Sequence, residues 1–158
     1  MNRQQRRAAA KPQKSTPTRG SNRPNLAQIQ GVFGHIDVML ESLARTHQVQ
    51  TVRGIPVMSD GQGDLHEIHS AILGWCDLWQ KLSERFSFII DLTPLVMMSK
   101  RLEHGVPLSL ELVNNAQKAI DRCRAIYARL DVVEVGRIVT QQCRDLEIAQ
   151  LLREKAKQ

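Results

Sequence analysis

The chain has 158 residues, of which 42% are apolar and 24% charged. That length suits one domain with an appended segment and is too short for two ordinary domains. The longest apolar run, residues 88–98, is interrupted by Asp91, Thr93 and Pro94. It is far shorter than the roughly 20 residues that a membrane-spanning helix needs, so we expect no membrane partner.

The formal net charge of +6 is unevenly distributed. Residues 1–25 carry seven bases and no acid, which leaves 15 of the 22 bases against all 16 acids in the rest of the chain. Residues 12–25 contain three prolines and many polar side chains, a composition that buries too little apolar surface to order itself. We predict a flexible basic arm over 1–25 and a folded domain over 26–158. The arm bases are Arg3, Arg6, Arg7, Lys11, Lys14, Arg19 and Arg23.

Basic side chains on an extended segment bind polyanions with little dependence on the fold. Each one can neutralise a phosphate and release a condensed counterion, so the affinity falls steeply with salt. We therefore predict that the arm contacts nucleic acid or an acidic surface on a neighbouring protein subunit. The alternative is a tail that only improves solubility.

The spacing of apolar residues predicts an all-α fold, a bundle of four or five helices. Apolar side chains repeat at intervals of three and four, which places them on one helix face. Asp64, Thr93 and Ser109 suit helix starts. Gly105 suits a C-terminal stop. The predicted helices cover about 26–45, 64–86, 93–105, 107–130 and 133–156.

Two stretches depart from this period. Residues 47–63 combine β-branched side chains with three glycines and a proline, which favours an irregular loop or a small hairpin. Residues 132–139 also have strand-like branching, and the pattern leaves helix and strand both open there.

Two apolar surfaces follow from the helical spacing. The helix predicted over 64–86 has the most regular stripe, so we expect its Trp75 and Trp79 to be buried. Near the C terminus, Ile148, Leu151 and Leu152 lie off the main stripe of their helix and leave two of its sides apolar. A monomer exposes few such patches. We predict a homo-oligomer or larger assembly with these three residues as contacts.

No spacing in the sequence matches a catalytic or metal site. Three widely spaced cysteines, Cys76, Cys123 and Cys143, predict a reducing compartment and no disulfide framework, and we expect each to pack as a small apolar residue. His66, His69 and Cys76 invite a zinc hypothesis, but one helix aligns only two of them and a zinc site needs three or four protein ligands. We predict a protein that is not an enzyme, has no metal or cofactor, and resides in the cytoplasm or within a virus particle.

A small DNA-binding regulator is the alternative function. The two helices across 93–130 and the turn between them resemble a helix-turn-helix. Amides and bases on the second helix have the chemistry that pairs with base edges. These residues are Asn114, Asn115, Gln117, Lys118 and Arg122. That helix also carries Glu111 and Asp121, which favours a plain antiparallel hairpin within a bundle.

The opening residues MNRQQRRAAAK resemble the openings of small proteins encoded by bacteriophages and prophages, many of them virion-associated or packaging-related. The resemblance covers residues 1–11. It implies a setting in which basic arms meet packaged nucleic acid or pass between subunits. Our leading interpretation is a non-catalytic assembly or structural protein, such as a phage virion component, whose arm contacts nucleic acid or a neighbouring subunit.

Overall fold

Five helices account for most of the described residues, which in this computed structural model are 22–60 and 62–156. The helical bundle predicted from the sequence is therefore confirmed. Among these residues no helix is both long and apolar enough to cross a membrane. The helices are α1 (Leu26–Thr46), α2 (Ile68–Phe86), α3 (Thr93–Glu103), α4 (Leu110–Tyr127) and α5 (Val132–Lys155).

A small antiparallel sheet lies between α1 and α2, with its strands in the order β1-β2-β3. The strands are β1 (Thr51–Val52), β2 (Ile55–Ser59) and β3 (Leu65–Glu67). The first turn consists of Arg53 and Gly54, both with positive φ, as a two-residue type I′ hairpin turn requires. Of the loop and the small hairpin predicted over 47–63, the structure has the hairpin, formed by β1 and β2, and β3 extends it to a sheet beyond that range. Gly61 lies outside the described residues. The all-α description is therefore incomplete.

The start of α2 corrects a second prediction. The sequence favours Asp64 as the cap of this helix, but the chain forms β3 there and the helix begins at Ile68. The Oδ1 atom of Asp60 accepts the backbone N–H groups of Gln62 and Asp64, both at 2.9 Å. These bonds shape a turn that returns the chain along β2. Leu65, which the predicted helix over 64–86 includes, lies in β3 and is exposed.

Side-chain caps set three other helix starts. Asn25 and Gln28 form a reciprocal capping box at α1, and the Ser109 hydroxyl caps α4. The Asp131 carboxylate accepts the N–H groups of the second and third residues of α5. Since this cap directs the chain into a helix, residues 132–139 are helical and the open choice between helix and strand is settled.

The core is centred on the completely buried Phe33 of α1. Its ring meets three aromatic rings from α2 and α4, with centroids 5.9–6.1 Å away, those of Trp75, Trp79 and Tyr127. Two of these pairs are edge-to-face, an arrangement that adds to the stabilisation from burial. Trp79 is 1% exposed as predicted, whereas Trp75 is only half-buried.

We expect Trp79→Ala to lower the free energy of unfolding by about 3–5 kcal/mol, because it removes a large buried side chain and leaves a cavity. Trp75→Ala should cost less, since part of that side chain is already exposed to water. Ile89→Ala is the control: Ile89 is 100% exposed, and its loss should change stability by no more than about 0.5 kcal/mol. Urea unfolding measures all three, and a Trp79→Ala loss below about 1 kcal/mol would contradict this core.

Candidate functional site

The predicted arm joins the bundle at the junction of α4 and α5. The structure describes one of its seven bases, the exposed Arg23, while Arg3, Arg6, Arg7, Lys11, Lys14 and Arg19 lie outside the described residues. Asn22 is held in place because its carbonyl accepts the N–H of Val132 at 2.8 Å and its side-chain amide donates to Asp131 at 3.2 Å.

The contact between Asn22 and Asp131 also has an electrostatic effect. The hydrogen bond from Asn22, followed by those from the α5 backbone, lowers the pKa of Asp131 from its usual value. A carboxylate that caps the start of a helix is further favoured by the helix dipole. The end of the arm is thus attached to the bundle at a defined, ionised group.

Several arginines of the bundle form ion pairs with acids. Arg124 on α4 contacts both Asp37 of α1 and Asp121 of its own helix, and its guanidinium lies 5.3 Å from the ring centroid of Phe33. Glu134 of α5 contacts two arginines, one from α2 and one from its own helix. These pairs offset positive charge on the bundle, and the net positive charge of the sequence comes from residues 1–25.

The outer face of α4 carries part of the set proposed for DNA reading. Asn114, Lys118 and Arg122 are exposed, whereas Asn115 and Gln117 are half-buried. Gln117 and Arg124 both donate to Asp121 on this helix. The face therefore offers three polar side chains beside a carboxylate. Helix α4 also packs against α1 and α3, as expected for a helix within a bundle.

The histidines of the zinc hypothesis have separate partners. His66 Nε2 lies 2.9 Å from Asp60 Oδ2, a hydrogen bond that lowers the pKa of Asp60. His69 lies between two side chains of α3, 3.2 Å from Ser99 Oγ and 3.3 Å from Glu103 Oε2. Within the part of the chain that the structure describes, no three His, Cys, Asp or Glu side chains are placed to hold a metal ion.

The sequence did not predict that the side chains of Ser99, His69 and Glu103 would lie in line, with His69 between the other two. A hydroxyl, an imidazole and a carboxylate in line are the groups of a nucleophilic relay. Ser99 is completely buried, however, and its hydroxyl donates to the carbonyl of Val96 at 2.9 Å. A substrate does not reach it there, so the row connects α2 to α3. Its members come from two helices, and apolar spacing does not give the register between helices.

The three predicted oligomer contacts, Ile148, Leu151 and Leu152, are all exposed on α5, as is Leu146. Helix α5 runs antiparallel to α2, because Glu134 near its start contacts Arg85 and Gln142 farther along donates to the carbonyl of Gly74. The contact then ends, and every residue over 143–156 is exposed. The sequence indicated the accessible leucines but not where the packed half of the helix stops.

The cysteines correct one further prediction. Cys76 and Cys123 are buried as expected, but Cys143 is exposed because it lies beyond the contact between α5 and α2. Burial, followed by the charge of Asp77, raises the pKa of Cys76 to about 11. Burial raises the pKa of Cys123 as well. Neither buried thiol is therefore a reactive nucleophile at neutral pH.

Comparisons with family models, with curated proteins and with solved structures found no match for this chain. The assignment of function therefore rests on the charges, contacts and exposed surfaces described above.

We expect a thiol reagent to modify one cysteine per chain in the folded protein and all three after denaturation, because only Cys143 is exposed. Cys143→Ser should abolish the fast modification of the folded protein and leave only the slow modification of Cys76 and Cys123, which requires unfolding. Absorbance of the released thiolate measures both phases. A fast reaction that persists in Cys143→Ser would show that the bundle opens around Cys76 or Cys123.

Proposed function

We propose that this chain is a non-catalytic assembly protein whose basic N-terminal segment binds nucleic acid while its helical bundle contacts other subunits. The observation that carries the proposal is the separation of charge along the chain. Residues 1–25 hold seven bases and no acid, and the rest is nearly neutral. Such a segment supplies affinity for phosphate without a shaped site on the bundle.

The attachment of the segment supports this division of roles. Asn22 is bound at the first turn of α5, and the exposed leucines lie toward the other end of that helix. Twenty-four residues at 1.5 Å each separate the two ends by about 36 Å. A subunit bound at the far end of α5 leaves the attachment point of the basic segment accessible.

A binding role also agrees with the chemistry of the bundle. The hydroxyl of Ser99 is buried and hydrogen-bonded, and the two buried thiols have raised pKa values, so these groups do not suit nucleophilic catalysis. The resemblance of residues 1–11 to openings of small phage-encoded proteins makes a virion component the setting that we propose.

Truncation of the basic segment tests the proposal, and the structure sets its limit. Removal of residues 2–20 deletes six of the seven bases and keeps Asn22, which contacts α5, and Asn25, which caps α1. For the intact chain, the slope of log affinity against log salt should be about −5 on single strands and about −6 on duplex if all seven bases meet phosphates. The truncated chain, left with Arg23, should show a slope of about −1 or shallower. Fluorescence anisotropy with labelled oligonucleotides measures these slopes.

A full-length variant with the same six bases changed to glutamine is the control, since it keeps the length of the segment and should behave like the truncation. A slope near zero for the intact chain would overturn nucleic-acid binding and favour an acidic protein surface as partner. Sequence-selective duplex binding that survives truncation would favour the regulator hypothesis and the exposed face of α4.

A further inference from the structure

The C-terminal half of α5 is a helix without a partner among the described residues. We call residues 143–156 the overhang, because all of them are exposed beyond the contact between Gln142 and α2. A stretch of about 14 helical residues without tertiary packing is marginally stable in water. Yet this stretch carries exposed leucines, among them Leu152 at 63% and Leu151 at 58%. A second helix packed along it would bury that surface.

The spacing of residues in the overhang defines one continuous face. At 100° per residue, Leu146 and Leu152 lie about 60° to either side of Ala149. Asp145 and Arg153 lie about 40° to either side of the same residue, so the face has an apolar centre with one acid and one base. Leu151 lies about 160° away from Ala149, on the opposite side of the helix, and Ile148 lies about 100° away, so this face includes only Leu152 of the three contacts predicted from the sequence. We call the surface formed by Asp145, Leu146, Ala149, Leu152 and Arg153 the Ala149 face.

We propose that the Ala149 face pairs with the same face of a second copy of this chain, antiparallel, about a two-fold axis at Ala149. This proposal rests on the assembly role proposed above, because it identifies one of the subunits that the bundle contacts as a second copy of the chain. In this arrangement Leu146 lies at the level of Leu152 of the second copy, and Asp145 at the level of Arg153 of the second copy. The small side chain of Ala149 lets the two backbones approach at the axis.

Charge selects this orientation and this partner. A parallel pair would bring Asp145 against Asp145 and Arg153 against Arg153, whereas the antiparallel pair brings each acid to a base on both sides of the axis. The overhang as a whole has three bases and three acids, so it has no net attraction for a polyanion. These charged residues are Arg144, Asp145, Glu147, Arg153, Glu154 and Lys155.

The first experiment measures the dimer dissociation constant of the full chain by sedimentation equilibrium after nuclease treatment. Leu152→Asp puts a charge into the Ala149 face and should raise the dissociation constant about tenfold or more. Leu151→Asp is the matched control, because Leu151 is nearly as exposed but faces away, and it should leave the constant unchanged. Far-ultraviolet circular dichroism checks that both variants keep their helix content.

The second experiment swaps charges to determine the orientation. Asp145→Arg and Arg153→Asp should each weaken the dimer several-fold, because each brings like charges together across the axis. The double variant restores opposite charges and should return the dissociation constant to within about twofold of the original. In a parallel pair, identical residues would still face each other, and the double variant would bring no recovery.

A chain that stays monomeric at all concentrations would overturn the proposal, as would equal effects of Leu151→Asp and Leu152→Asp or the absence of recovery in the double variant. Failure of the two proposals can be distinguished. Loss of pairing in Leu152→Asp leaves the seven bases in place, so a salt slope in that variant reports nucleic-acid binding alone. Truncation of residues 2–20 leaves α5 intact, so the mass of that chain reports pairing alone.

Discussion

Burial of Phe33 is the constraint on which the positions of the other elements depend. Its ring contacts rings from α2 and α4, so a single side chain of α1 sets the distance between three helices. Arg124 covers the same ring and forms an ion pair with α1. Interiors as densely packed as this tolerate little displacement. The aromatic cluster therefore holds α4 in the orientation from which the chain turns into α5.

This core needs only part of α5. The first half of that helix contacts α2 through Glu134 and Gln142, and residues 143–156 extend beyond it. Asp131 caps the helix and also binds Asn22, so one carboxylate fixes both the start of α5 and the attachment of the basic segment. The two features that suit contact with other molecules are thus placed at opposite ends of one helix.

Much of this could be predicted from the sequence, and the failures have local causes. Apolar spacing predicted a bundle of four or five helices because each helix packs one face, and the structure has five; Ser109 was correctly predicted as a helix start. Asp64 was misread because the turn organised by Asp60 depends on pairing between β2 and β3, which spacing along one segment does not show. Cys143 was misread because the periodicity of α5 continues past the point where α2 no longer faces it. The contact between Ser99 and His69 depends on the register between α3 and α2, which the spacing of residues within either helix does not determine.

The two proposals reinforce each other through geometry. Val132, where Asn22 is bound, and Ala149 are 17 residues apart on α5, or about 25 Å along the helix. A two-fold axis at Ala149 would then place two attachment points about 50 Å apart, the length of about 15 base pairs of duplex. Since residues 1–21 can span about 70 Å when extended, both basic segments of a pair can reach the same duplex. If the segments bind nucleic acid as proposed, binding of one would hold the other near the duplex at high effective concentration, so pairing through α5 would strengthen that proposed contact.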